Sequence, residues 1–431
     1  MITSRKPFPE VQIRRLSLVP IVNGLGEAGD GGNPTHWPRY IRTTDITGLF
    51  TLDPEKRVTL PPEIAATASV ERDDILMCAA GATIGKSYIH NTNDTACFAG
   101  YLVRLRVNPN DALARFMAYW TQSRHFADQV ASGAIKSTIE NFSASRYRSI
   151  VAPIPPLPEQ RAIADYLDRE TAEIDAFITD QERLIELLTE RRVATISRRV
   201  RQDRVWVDRA MPDSWSVTAL RRVARFRTGG TPPGADFREN EGGVPWIRPD
   251  DFQPNGSATI ASRFITTQQS EPLPIAECGA TLVCSIGASI GKTAWVSKPS
   301  CFNQQITAVE SEQHSRFMYF VMAAALPGVL CHAVGNTLPI INNERLGRVM
   351  IALPPTLDEQ ASVAALLDSE TASIDSGVAD AQCAIALSRE RRAALISAAV
   401  TGQLGSYTAP LYNSPTAGPP ETVRRPCETE G

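Results

Sequence analysis

Residues 159–200 align without a gap on residues 359–400, and 20 of the 42 positions are identical. Unrelated sequences match at only a few positions over such a length, so the chain contains a duplication with a period of 200 residues. Whatever it folds into must use one local structure twice. Each copy follows a proline-rich lead-in, Pro153-Ile154-Pro155-Pro156-Leu157-Pro158 in the first and Leu353-Pro354-Pro355-Thr356-Leu357 in the second. Proline lacks the backbone N–H and clashes inside a helix, so each lead-in marks a hard helix start.

Within the first copy Ile163, Leu167, Glu170, Ile174, Phe177, Gln181, Leu184 and Leu188 fall on alternating steps of four and three residues. That is a heptad seam with polar interruptions. The second copy carries smaller side chains on its seam, among them Val363, Leu367, Ile374, Gly377, Ala381 and Ala384, with Leu395 further on. A seam of large residues facing one of small residues predicts close helix approach. A helix of some forty residues is about 60 Å long at 1.5 Å per residue, and a duplicated helix of that length predicts a paired spacer.

The regions before the helices are related too. Tyr40-Ile41-Arg42-Thr43-Thr44-Asp45 matches Trp246-Ile247-Arg248-Pro249-Asp250-Asp251, and the stretch from Ile75 to Ser87 matches that from Thr281 to Thr293, both at an offset of 206. The reading is a mixed α/β (α+β) chain of five segments. Residues 1–155 and 202–355 are globular domains, 156–201 and 356–404 are helices pairing as an antiparallel coiled coil, and 405–431, rich in Pro, Gly, Ser and Thr, are a disordered tail.

Composition narrows the function classes. No apolar run approaches the roughly 20 residues that cross a bilayer. The opening MITSRKPFPEVQIRR has no apolar leader core, so the cytoplasm is the expected location. The net charge of −3 is unevenly spread, with mildly basic globular segments and acidic stretches between and after them. A local basic face suffices to meet phosphates, so nucleic-acid binding is allowed. The eight cysteines show no CxxC spacing and no neighbouring histidine in a ligand pattern, so buried structural thiols are expected and no metal. The five histidines are scattered and unrepeated, which gives no nucleophile–base pair.

Two motifs invite chemistry. Gly81-Ala82-Thr83-Ile84-Gly85-Lys86-Ser87 and Gly287-Ala288-Ser289-Ile290-Gly291-Lys292-Thr293 look like phosphate-binding loops, but three residues separate the first glycine from Gly-Lys where that loop needs four. A nucleotide-binding scaffold is the alternative function. A loop placing Lys86 and Lys292 against DNA phosphates, or a solvated lysine beside a structural turn, are the other readings. Arg42 and Arg248 could present the guanidinium fork to guanine or phosphate, or pair structurally with Asp45 and Asp251. Lys136 with Ser137, and Asn336 with Thr337, occupy polar stretches shortly before the proline lead-ins, where base-reading loops could lie.

Together these features resemble the specificity subunit of type I restriction-modification systems. The resemblance rests on Leu157-Pro158-Glu159-Gln160 and Leu357-Asp358-Glu359-Gln360, and on Asp168, Glu170, Thr171, Ile174 and Asp175 with their twins 200 residues on. It extends to Glu190-Arg191-Arg192 and Glu390-Arg391-Arg392, to Met211-Pro212-Asp213-Ser214-Trp215, and to Thr228-Gly229-Gly230-Thr231-Pro232. It implies two target recognition domains, each reading half of a bipartite double-stranded DNA target. Helices bearing Leu167, Ile174, Leu184, Leu188, Leu367, Ile374 and Ile385 would set the spacing and dock methyltransferase subunits, two being expected. S-adenosylmethionine, ATP and magnesium are expected on partner subunits, restriction subunits among them, with no cofactor and no catalysis in this chain. One departure stands out: the first domain offers Gly31-Gly32-Asn33-Pro34, differently spaced, where the second has Gly230-Thr231-Pro232.

Overall fold

The computed structural model describes residues 8–29, 33–133, 142–203, 206–207, 212–234, 237, 243–253, 256, 261–325, 330, 333–334 and 339–404. Lys136, Asn336 and the tail 405–431 lie outside the described residues.

Both globular domains are built on the same strand order. In the first, Val22–Asn23, Leu102–Leu105, Ile75–Cys78 and Ser87–Ile89 form a sheet in that order, all antiparallel. The second repeats it with Ala224–Thr228, Ile306–Ser311, Thr281–Cys284 and Thr293–Trp295. The central strands Ile-Leu-Met-Cys and Thr-Leu-Val-Cys are buried at every position, which explains why they read as continuous apolar runs instead of alternating ones. A second small sheet in each domain contains one parallel pair, Arg39–Ile41 beside Ala96–Phe98 and Val244–Ile247 beside Ser300–Phe302. Apolar helices, Ala114–Trp120 and Ser315–Ala324, contribute Phe116, Trp120, Phe317 and Phe320 to the two cores.

Each domain is closed by its own ends. Glu10–Gln12 pairs antiparallel with Val151–Pro153, and Ser216–Ala219 pairs with Met350–Leu353. The second strand of each pair runs straight into the proline lead-in, so the sheet edge fixes where the long helix begins. Those helices are Leu157–Arg199 and Leu357–Val400, of 43 and 44 residues. A buried glutamine locks each start. Gln160 donates to the Pro155 carbonyl (2.8 Å) and accepts from the Leu113 amide (2.7 Å), while Gln360 donates to the Pro354 carbonyl (3.3 Å) and accepts from the His314 amide (2.9 Å). The second helix stops where Gly402 adopts φ +76° and the Gln403 amide reaches back to the Ala398 carbonyl, a glycine C-terminal cap.

The contacts divide the chain differently from a domain followed by its own helix. One compact unit joins the described parts of Met1–Thr179 and Ile385–Gly431, and the other is Asp180–Ala384. Each globular domain thus packs on the start of the helix that follows it and on the end of the other helix. In the first unit Ile163 and Leu167 share a core with Ile396, Ala399 and Val400. In the second, Ala364 and Leu367 share one with Ile196 and Val200. The helical segments run antiparallel within each unit, and the same ion pair recurs in both: Arg392 to Asp175 (2.8 Å) in the first, Arg192 to Asp375 (2.8 Å) in the second.

The seam needs a correction. Leu167, Ile174, Leu367 and Ile374 are buried as expected, and so is Ile385, while Leu188 is half-buried. Between them, however, the buried positions are Thr171 and Ile178, with Ile185 half-buried, whereas Phe177 and Leu184 are 44% and 40% exposed. The true sequence of steps is 167, 171, 174, 178, 181, 185, 188, and on the second helix the twins Thr371 and Ile385 are buried while Val378 and Gly377 are both half-buried. A 3.5-residue period is satisfied by three-then-four or four-then-three steps, and packing chooses the latter. Large-against-small seams do not close everywhere either. In the second unit Leu188, Arg191, Thr195 and Arg198 face Glu370 and Ser373 across a cavity of about 570 Å³.

Candidate nucleic-acid interface

The two glycine loops are hairpin turns. Ile75–Cys78 folds back antiparallel onto Ser87–Ile89 and Thr281–Cys284 onto Thr293–Trp295. The Gly85 amide donates to the Cys78 carbonyl (3.0 Å) and the Gly291 amide to that of Cys284 (2.8 Å). Gly81, Gly85, Gly287 and Gly291 all take φ between +79° and +84°, a region costly for residues with a Cβ. That conformation, and not phosphate binding, accounts for the spacing of the glycines. A nucleotide cradle needs the loop to open a helix whose N–H groups face the phosphates; here it opens a strand. Nothing therefore favours the nucleotide-binding alternative.

Two further segments meet each hairpin, and a third lies at the same end of the sheet. The Ala79 amide donates to the Tyr101 carbonyl and its carbonyl accepts from the Phe142 amide (both 2.8 Å). Ser285 repeats this with the Gln305 carbonyl (2.7 Å) and the Ile341 amide (2.9 Å). The third segment resolves the departure noted at Gly31–Pro34. A Cβ on Gly24 would stand on the carbonyl oxygens of Phe98 and Ala99, just as one on Gly229 would stand on those of Phe302 and Asn303. The following amides, of Leu25 and Gly230, donate to the Phe98 and Phe302 carbonyls at 2.9 Å each. Gly24-Leu25, not Gly31-Gly32, is the partner of Gly229-Gly230, at an offset of 205.

Equivalent backbone therefore carries different side chains. Tyr101, 68% exposed, holds the place of Gln305, and Asn23 and Thr83 are exposed in the same domain. On the second domain Thr231, Gln304 and Lys292 are exposed, with the Thr231 hydroxyl donating to Gln304 Oε1 (2.8 Å). Lys136 and Asn336 precede Phe142 and Ile341 by six and five positions in the sequence and lie outside the described residues.

The predicted cations divide. Lys86 turns back onto its own domain, its Nζ donating to the Ile46 carbonyl at 2.5 Å, whereas Lys292 is exposed. Arg42 grips the fully buried carboxylate of Asp45 with Nε and Nη2 (3.2 and 2.9 Å), closing the structural pair that competed with DNA contact. Arg248 keeps the same turn, its amide donating to Asp251 Oδ2 (2.8 Å), but its Nη2 reaches Ser262 Oγ (3.3 Å).

A pair of arginines in each domain went unread in the sequence. After the first closing strand the chain makes a single 3₁₀ turn, Ile13–Arg15 in one domain and Leu220–Arg222 in the other. Ile13 and Leu220 are fully buried, their amides donating to the Ile150 and Val349 carbonyls at 2.9 Å. Arg14, Arg15, Arg221 and Arg222 are exposed. The offset of 207 differs from that of either longer repeat, so the match is legible only as the tripeptides Ile-Arg-Arg and Leu-Arg-Arg following Val-Gln and Thr-Ala.

Four of the described thiols are buried as expected, whereas Cys278 and Cys383 are exposed. Burial pushes Cys78 and Cys301 up to about 11 and Cys97 and Cys284 up to about 12, so none of these is a thiolate nucleophile near neutrality. Among the described residues no group of three or more His, Cys, Asp and Glu is placed to hold a metal ion, and no helix is long and apolar enough to cross a membrane.

Residues 43–187 and 212–376 each match the family model described as the type I restriction modification DNA specificity domain. The chain is 27% identical over 195 residues to the type I restriction enzyme EcoBI specificity subunit of Escherichia coli, a match covering 44% of this chain and 40% of that relative. Among solved structures, a chain described under complex assembly and conformational transition of the type I R-M system superposes with a TM-score of 0.67 at 16% identity, covering 93% of this chain and 99% of the other. That likeness establishes a shared fold.

Proposed function

The chain belongs to the type I restriction-modification DNA specificity domain family, and from that membership we propose that it selects the DNA sequence on which a larger enzyme acts. Each globular domain reads one half of a bipartite duplex target. The two long helices fix the number of unread base pairs between the halves and hold methyltransferase subunits, two of them, with restriction subunits joining in the full complex. The reactions, and the S-adenosylmethionine, ATP and magnesium they need, belong to those partners; this chain supplies recognition.

The observation that carries the reading is the duplicated face. Both domains bring a glycine hairpin, a glycine pressed on a parallel strand pair and the segment at Phe142 or Ile341 to one end of one sheet. The scaffold is held constant while Tyr101 in one domain stands where Gln305 stands in the other, as two half-sites of different sequence require. Lys292, Arg248, Lys136 and Asn336 remain candidates for contact with DNA. Arg42 and Lys86 serve the fold first. Docking of partners is supported by apolar side chains left in water on the helices, Phe177, Leu184, Leu187 and Val193 on the first and Leu366 and Leu387 on the second.

The test is reconstitution. Methyltransferase subunits from the same system should methylate adenine at one bipartite sequence only when this chain is present. Sequence-specific methylation that persists without it overturns the reading.

A further inference from the structure

We infer that the two arginine turns, Arg14-Arg15 and Arg221-Arg222, are phosphate clamps that seat each domain on the DNA backbone independently of sequence. The inference rests on the DNA-reading function proposed above and names contacts within it.

Four observations converge. First, the turns are the same device twice: a closing strand, a buried aliphatic anchor, two arginines, and then a backbone bond from Leu16 or Val223 back to the anchor carbonyl (3.0 Å in each). Second, the arginines are exposed and their side chains make no ion pair or hydrogen bond among the described residues. Several other arginines of the two domains are engaged, as Arg106 is by Asp74, Arg316 by Asp368 and Arg227 by Glu310. A duplicated pair left in water on a rigid turn serves no packing or pairing need of the domain itself.

Third, each turn is tied to the proposed reading face through a short helix. In the second domain the short helix Asn343–Leu346 links the two: at one end the Asn343 Oδ1 accepts from Thr228 (3.2 Å), beside the pressed glycine, and at the other the Gly347 carbonyl accepts from the Arg221 amide (3.0 Å). The strand Ala224–Thr228 runs from the arginine turn to the pressed glycine, about 17 Å at about 3.3 Å per residue or about five base-pair rises of about 3.4 Å, so one stretch of duplex can meet both ends. The first domain repeats the link through Ala144–Tyr147. The Tyr147 hydroxyl donates to the Cys78 carbonyl at the hairpin (2.6 Å), and three residues on the Ile150 carbonyl accepts from the Ile13 amide (2.9 Å) at the arginine turn.

Fourth, the pattern of change has the right sign. Side chains on the loop face differ between the domains, while the arginines persist. Contacts to phosphate carry position and no sequence information, so a protein that reads two different half-sites keeps them in both domains and varies the rest. The guanidinium fork suits a phosphodiester oxygen pair, and its charge displaces condensed counterions.

The experiment uses the full chain assembled with its methyltransferase subunits. Affinity is measured by fluorescence anisotropy over a range of salt, on duplex DNA carrying the sequence methylated in its own genome and on random duplex. Arg14→Ala with Arg15→Ala, and Arg221→Ala with Arg222→Ala, should each weaken binding to both duplexes by the same factor, roughly tenfold or more, and reduce the slope of log K against log salt by about 2. The corresponding Lys substitutions should keep most of the slope, which separates loss of charge from loss of fold. Unchanged slopes overturn the clamp and leave the proposed function standing. A loss confined to the target duplex would make the arginines base readers and overturn it too. Loss of methyltransferase subunits on purification, with DNA slopes intact for the complexes that form, would assign the turns to an acidic protein surface and overturn the clamp. If the unaltered assembly does not prefer its target to random duplex, it is the proposed function that fails.

Discussion

Glu370 and Arg199 show what a single pair contributes and when. The carboxylate takes two bonds from the guanidinium, one of them from Nε at 3.2 Å, and this holds Glu370 below the usual carboxylate range. A carboxylate lowered on folding stabilises the native state above its unfolded pKa, and that contribution is lost as pH falls through the folded value. Both side chains are partly open to solvent, so the pair contributes at most about 1 kcal/mol. Glu370→Gln should lower the urea midpoint slightly at neutral pH, and the difference from the parent should vanish in acid. A difference that grows in acid would mean the pair does not set the pKa. At this scale the sequence was least informative. The spacing of Arg42 and Asp45 left ion pair and DNA contact open, and only the fold, by burying Asp45, shows that the ion pair forms. Lys86 was worse: the carbonyl it meets, Ile46, lies 40 residues away, and no local pattern points to it. Gly24 was missed because the constraint on it is the approach of another strand's carbonyls, which leaves no mark on its own neighbours.

Long helices are where the sequence spoke most clearly, because prolines fix a start and a duplicated apolar period fixes a face. The helices begin at Leu157 and Leu357, each one residue after the predicted boundary. What periodicity could not settle was which intermediate residue turns inward, since Phe177 and Ile178 both suit a heptad. Packing selects Ile178, 9% exposed, over Phe177. Truncating a buried isoleucine removes contacts that the seam recovers only in part, whereas truncating an exposed phenylalanine removes little. Ile178→Ala should therefore cost about 2 kcal/mol or more by denaturant unfolding, and Phe177→Ala roughly 0.5 kcal/mol or less. The reverse order would restore the seam first read from the sequence. Phe177→Ala should instead weaken association with methyltransferase subunits, if the exposed apolar positions are their docking surface.

Two helices that carry the same Arg–Asp pair in both units, Arg192 with Asp375 and Arg392 with Asp175, can be lengthened only together. Seven residues are two helical turns, about 10.5 Å, and they return every seam position to its original face. A heptad inserted after Glu182 and another after Gln382, its twin 200 residues on, would leave both ion pairs and both domain cores intact, because each insertion falls between the segments those contacts use. If the helices measure the distance between half-sites, the insertion adds about three base pairs, at about 3.4 Å each, to the unread gap and changes no recognised base. Mapping methylated adenines in cells that carry the lengthened chain reads both quantities at once. The same half-sites with the old gap would show that the spacing is set elsewhere, for example by the partner subunits, and would reduce the helices to a docking platform. Altered half-sites would mean that the helix ends orient the reading loops, since Gln160 and Gln360 tie each helix start to its domain.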